Sequence, residues 1–172
     1  MAKTILRFAL MYVVLMLAQA VLFNRICLFG YAVPLVFVYF IASLPVTLSV
    51  NWVLTLGFLS GLTVDIFSDT PGVNALACTL LAGSRGTLIR LYVPREEDFT
   101  NPEPSVKSMG PGNYAKYLLT VSIVYCTLFF LIDAFTFFNP LRLVIRIVAS
   151  TALTFTVMLA INSLTTRNEK RL

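Results

Sequence analysis

Six stretches of about twenty mostly apolar residues, at roughly 5–23, 26–44, 46–67, 72–91, 116–138 and 141–164, leave this chain few ways to fold. Each is long enough to cross a bilayer as a helix, and turn residues separate most of them. Asn24-Arg25 divides the first pair, and Pro45 sits where a third helix would begin. Asp69-Thr70-Pro71-Gly72 divides the third and fourth, and Phe138-Asn139-Pro140 the fifth and sixth. Only 12% of the 172 residues are charged and 58% are hydrophobic, with a mean hydropathy of +0.86. Charge this sparse cannot cover a water-facing surface, since soluble domains carry roughly 25%. The expected fold is an all-α integral membrane protein, a six-transmembrane-helix bundle forming one domain over 1–172.

The second and fourth spans are the weakest. Ala42-Ser43-Leu44-Pro45 holds no charge to mark a boundary, Pro34 falls inside the second span, and Arg85 interrupts the fourth. Either segment fits a full crossing or a re-entrant one. The long connection, about 93–115, carries four of the eight prolines and four of the eight acids, so it reads as a mobile cytoplasmic loop. A docking segment for a cytoplasmic partner is the second reading. Residues 165–172 form a basic tail.

Lysines and arginines near the span ends set orientation. With the N-terminus inside, the cytoplasmic flanks hold Lys3, Arg7, Arg90, Arg95, Lys107, Lys116, Arg167, Lys170 and Arg171, against Arg25, Arg142 and Arg146 outside. Both termini are then cytoplasmic, and Arg85 is expected to snorkel to that face. The net charge of +5 follows from these flanks. No basic–aromatic groove pattern points to nucleic acid. Lys3, Arg7 and the apolar run ending in Ala18-Gln19-Ala20 imitate a cleavable signal, but an uncleaved first helix suits a multi-span chain.

Histidine is absent, and Cys27, Cys78 and Cys126 stand singly in apolar runs. Metal, cofactor and histidine-based acid–base chemistry are therefore not expected. The remaining intramembrane charges each cost roughly 2.5–3.5 kcal/mol on insertion scales, so each needs a pairing or functional reason. Asp65 lies six residues before Pro71, Asp133 seven before Pro140, and Arg146 six after it. At helical rise all three sit roughly 9–11 Å below their turns. An Asp133–Arg146 ion pair is expected across the hairpin, with Arg142 on the face of Arg146 and Asp69 on that of Asp65. Two roles fit such a cluster: a structural one joining the third, fifth and sixth spans, or the lining of an outward polar cavity for a ligand or a partner segment. Nothing around Asp65 or Asp133 resembles an intramembrane aspartyl protease, and an enzyme is not expected. Gly57-x-x-x-Gly61 steps by four into Asp65, a stripe suited to close helix contact, internal or with a partner helix.

The run Gly57…Gly61-Leu62-x-x-Asp65-x-x-Ser68-x-x-Pro71-Gly72-x-x-Ala75-Leu76 resembles the signature of the bacterial rod-shape-determining protein MreD family. It departs from that pattern in having Gly72 directly after Pro71, and Asn74 where histidine is frequent. The resemblance implies a non-enzymatic scaffold of the wall-elongation machinery in the bacterial inner membrane. Its partner would be the membrane helix of MreC, with indirect links to the MreB filament and the wall synthases. It also implies a fold similar to the substrate-binding subunits of energy-coupling-factor transporters. A vitamin-type substrate-binding subunit is therefore the alternative function. A cavity filled by side chains, beside a lipid-facing groove along Gly57–Gly61, would favour the scaffold.

Overall fold

The computed structural model describes residues 2–23, 34–68, 70–92, 104–133 and 140–169; for 2–5, 22–23, 107, 140, 142 and 165–169 it describes the backbone path alone. The described residues form helices and no strands. They are α1 (Ala2–Ala18), continued by a π turn at Gln19–Phe23, α2 (Val38–Ser43), α3 (Val50–Ser68) and α4 (Val73–Tyr92). There follow a short α5 (Val106–Met109), α6 (Pro111–Asp133) and α7 (Pro140–Glu169). Among the described residues, three stretches are long and apolar enough to cross a membrane: Val50–Ser68, Pro111–Asp133 and Leu143–Leu164.

The helices pack in chain order, α3 along α4, α4 along α6 and α6 along α7, with α1 against α2 and α3. Their outward faces are apolar. Leu6, Leu10, Val14, Leu17 and Val21 form an exposed stripe on α1, and Leu141, Val144, Ile145 and Val148 another on α7. Gln19, Ser60, Asp65, Asn74, Arg85, Ser122, Ser150 and Thr154 are buried. Apolar outside and polar within suits a lipid solvent, where every interior polar group needs an internal partner.

The second stretch differs most from its expected form. In place of one helix over 26–44, the backbone turns at Val36–Phe37, and α2 covers six residues, a rise of about 9 Å. The expected part at 26–33 lies outside the described residues. Pro45 sets the C-terminal end of α2, forcing Leu44 into an extended conformation (φ −55°, ψ 145°). Pro45 thus opens a turn rather than α3, which begins at Val50 and not at 46.

α2 is nonetheless the centre of the bundle, touching α1, α3, α4 and α6, with Phe37, Val38 and Ile41 fully buried. Breaking the helix inside an apolar core frees backbone groups that must be paired. Four other elements supply the partners. Gln19 donates to the Pro34 carbonyl (3.1 Å) and accepts from the Val36 N–H (2.9 Å). The Thr154 hydroxyl accepts from the Leu35 N–H (3.1 Å). Tyr117 donates to the Ala42 carbonyl (3.0 Å), and Arg85 donates to that of Leu44. Arg85 is therefore drawn into the bundle, with 5% of its surface exposed, instead of snorkelling to the membrane face.

The connection before α6 is also more ordered than expected. Ser105 and Ser108 cap α5 reciprocally, Met109 and Tyr114 are buried, and α6 starts at Pro111, five residues earlier than the sequence suggests. Residues 93–103 lie outside the described residues.

Pairing at the ends of α2 predicts a ranking of stability losses. Gln19→Leu strands two buried backbone groups and Tyr117→Phe one, at about 1–3 kcal/mol per group. Thr156→Val, which removes only an exposed bond within α7, should cost little. Unfolding midpoints of the detergent-purified protein should fall in that order.

Candidate functional site

The α3–α4 turn gathers most of the residues that the sequence singles out. Pro71 and Gly72 are exposed at its tip, and Gly72 adopts φ +82°, a conformation that costs glycine little. This reverses the chain so that α4 starts at Val73 and runs back along α3.

A helix beginning inside a bundle presents unpaired N–H groups. Here Asp65, one helix earlier, supplies the acceptor. Its Oδ1 accepts from the Asn74 N–H (3.0 Å) and its Oδ2 from the Ala75 N–H (2.9 Å), the second and third residues of α4, which an N-cap side chain ordinarily serves. Oδ1 also accepts from the Thr70 hydroxyl and the Asn74 side-chain amide, both at 2.9 Å. A negative group at this end complements the helix dipole, and charge-assisted bonds are the stronger kind.

Asn74 extends the network. Its amide nitrogen also donates to Thr70 Oγ1 (3.0 Å), and its carbonyl oxygen accepts from the Tyr125 hydroxyl (2.7 Å) on α6. Asp65 is 5% exposed, Asn74 2% and Tyr125 fully buried, so α3, α4 and α6 meet through one dry polar chain. Tyr125 packs edge-on against Phe37 beside α2, with ring centroids 5.7 Å apart.

Gly57 and Gly61 make the approach of α3 to α4 possible. A Cβ on Gly61 would lie 2.4 Å from the Asn74 carbonyl oxygen and 2.5 Å from the Ala75 Cα; one on Gly57 would meet the Ala82 Cβ at 2.9 Å. The glycine stripe is an internal packing face, and α4 fills the groove that a partner helix would need.

The expected outer cluster separates. Asp65 bonds within the α3–α4 turn and takes no arginine partner there. Asp133 is exposed at the last residue of α6, and among the described residues no ion pair joins it to Arg146. The Arg146 guanidinium instead lies over the Phe130 ring, 5.0 Å from its centroid. Phe130 precedes Asp133 by three residues, roughly 4.5 Å deeper along α6. Counting from Pro140 equalised two depths that helix packing offsets. Asp69 and the Arg142 side chain lie outside the described residues, and Ser68 is half-buried and partnered.

Sequence reasoning missed Thr70 and Tyr125 as members of the site. A threonine beside a turn carries no signal, and the Tyr125 hydroxyl meets Asn74 across 51 residues. Asn74, which stands where the resembling pattern often has histidine, uses both the donor and the acceptor of its amide. No protein-family model, curated protein or solved structure matches the chain.

The geometry ranks substitutions here too. Asp65→Ala strands two buried amides and should cost about 2–4 kcal/mol, with Asp65→Asn between it and the native protein. Gly61→Ala should disrupt the α3–α4 contact. Gly86→Ala, whose Cβ would meet nothing within 4 Å, should be neutral or slightly stabilising. Chemical unfolding in detergent measures all four.

Proposed function

We propose that the chain is a non-enzymatic scaffold of the bacterial wall-elongation machinery, of the MreD type, which holds the membrane helix of an MreC-type bitopic protein. In this reading it resides in the inner membrane, crosses it six times with the discontinuous 26–44 segment as the second pass, and keeps both termini cytoplasmic. The carrying observation is that the residues of the resemblance act together. Gly61, Asp65 and Ala75 form one contact, with Thr70 and Asn74 closing it. A signature of that kind specifies how a membrane bundle is built and offers no reacting group.

The same contact weighs against a vitamin-binding subunit. Asp65, Asn74 and Tyr125 direct their polar atoms at one another, which leaves this end of the bundle filled by its own side chains. The Gly57–Gly61 groove no longer supports the scaffold reading, because α4 occupies it. A partner helix would dock on a lipid-facing flank instead.

Co-expression with an MreC-type protein and purification in mild detergent tests the proposal. The expected result is a stable complex of the two chains, retained when the partner's extracytoplasmic domain is removed and lost when its membrane helix is replaced by an unrelated one. A tightly bound small molecule together with no association of the two chains would overturn it.

A further inference from the structure

Arg146 stands in the first turns of the apolar stretch Leu143–Leu164, where a charge needs a partner. Among the described residues it has no hydrogen bond and no carboxylate. Its guanidinium lies over the Phe130 ring, 5.0 Å from the centroid, and its Nε is buried and unpaired. The ring face offsets part of the positive charge but offers the in-plane N–H groups no acceptor. The side chain is only half-buried, and its two terminal nitrogens are neither bonded to a described residue nor sealed. They open on the outside of the bundle.

The charges at this end of the α6–α7 pair do not balance. Arg142 precedes Arg146 by about one helical turn, and Asp133, exposed at the last residue of α6, is joined to Arg146 by no ion pair. Two cations thus stand against one acid. Arg146 lies six residues into α7, roughly 9 Å from its start, a depth from which a long side chain reaches the head-group layer. Its neighbours on the helix surface are apolar and open: Leu141, Val144, Ile145 and Val148 are each about half exposed or more. A molecule that reaches these nitrogens meets hydrocarbon-loving surface beside a positive charge.

We propose that Arg146 binds the phosphate of an anionic phospholipid in the leaflet at this end of the bundle. Its terminal nitrogens donate to the phosphate oxygens, a charge-assisted pairing that the planar guanidinium makes with two parallel bonds. An acyl chain of the same lipid lies along the exposed face of α7 at Ile145 and Val148. The apolar flank selects a lipid over a soluble anion, and the excess of cations selects an anionic head group over a zwitterionic one. The site is separate from the Asp65 junction and does not depend on the wall-machinery reading.

Native mass spectrometry of the full chain in detergent tests the site by counting the lipids retained as phosphatidylglycerol, phosphatidylcholine or inorganic phosphate is titrated in. The expected result is one saturable phosphatidylglycerol, held about fivefold more tightly than phosphatidylcholine. Arg146→Gln should weaken it about tenfold, and Arg146→Lys, which keeps the charge but loses the planar fork, about threefold. Asp133→Asn removes the nearby negative charge and should strengthen binding about twofold, an effect that a merely structural arginine would not show. Arg90→Gln, at the opposite end of the bundle, should leave it unchanged. Circular dichroism checks that each variant keeps the native helix content. Equal retention of phosphatidylglycerol by the native protein and the two Arg146 variants would overturn the proposal. So would equal binding of the two lipids, or inorganic phosphate that displaces phosphatidylglycerol at similar concentration.

Discussion

The Asp65 carboxylate, at the last turn of α3, accepts from the first free amides of α4 and so fixes the angle and register of the two best-packed helices. Through Asn74 it also sets α6, because the Tyr125 hydroxyl has its partner there. In water such a carboxylate would be hydrated at little cost. In a lipid-facing bundle the amides of a helix start have no water to turn to, and a single acceptor decides where the helix can begin. The glycine stripe is the steric counterpart, since any side chain at Gly61 would push α4 beyond the reach of Asp65.

The same rule explains α2. A six-residue helix with a proline before and after it would be a poor element on its own. It persists because Gln19 pairs two of the loose backbone groups around it, and Thr154, Tyr117 and Arg85 one each. The bundle is thus organised around a broken helix whose defects are repaired by its neighbours. Its interior polar residues are mostly spent on backbone groups.

Much of this was legible in the sequence. The apolar runs located α3, α4, α6 and α7 within a few residues, as continuous spans bounded by proline, glycine and charge must. Asp65 was recognisable as a buried acid at the end of a close-packing stripe. Its partners were not, because depth counted from a turn says nothing of which way a side chain points. That is why Asp133 and Arg146 looked like a pair, whereas the arginine lies over Phe130. The 26–44 run was apolar enough for one helix. What interrupted it was the availability of remote donors and acceptors, up to 119 residues away, that made a break tolerable. Arg85 read as a snorkelling cation for the same reason, since no local pattern announces the carbonyl of Leu44.

Amide hydrogen exchange at Asn74 and Ala75 bears most directly on the claim that one carboxylate starts α4. In the native protein in detergent, both amides should exchange as slowly as the buried middle of α4. In Asp65→Ala they should open by at least about tenfold while amides around Ser60 stay protected. Fast exchange of the two amides in the native protein, or protection unchanged by the substitution, would contradict the account.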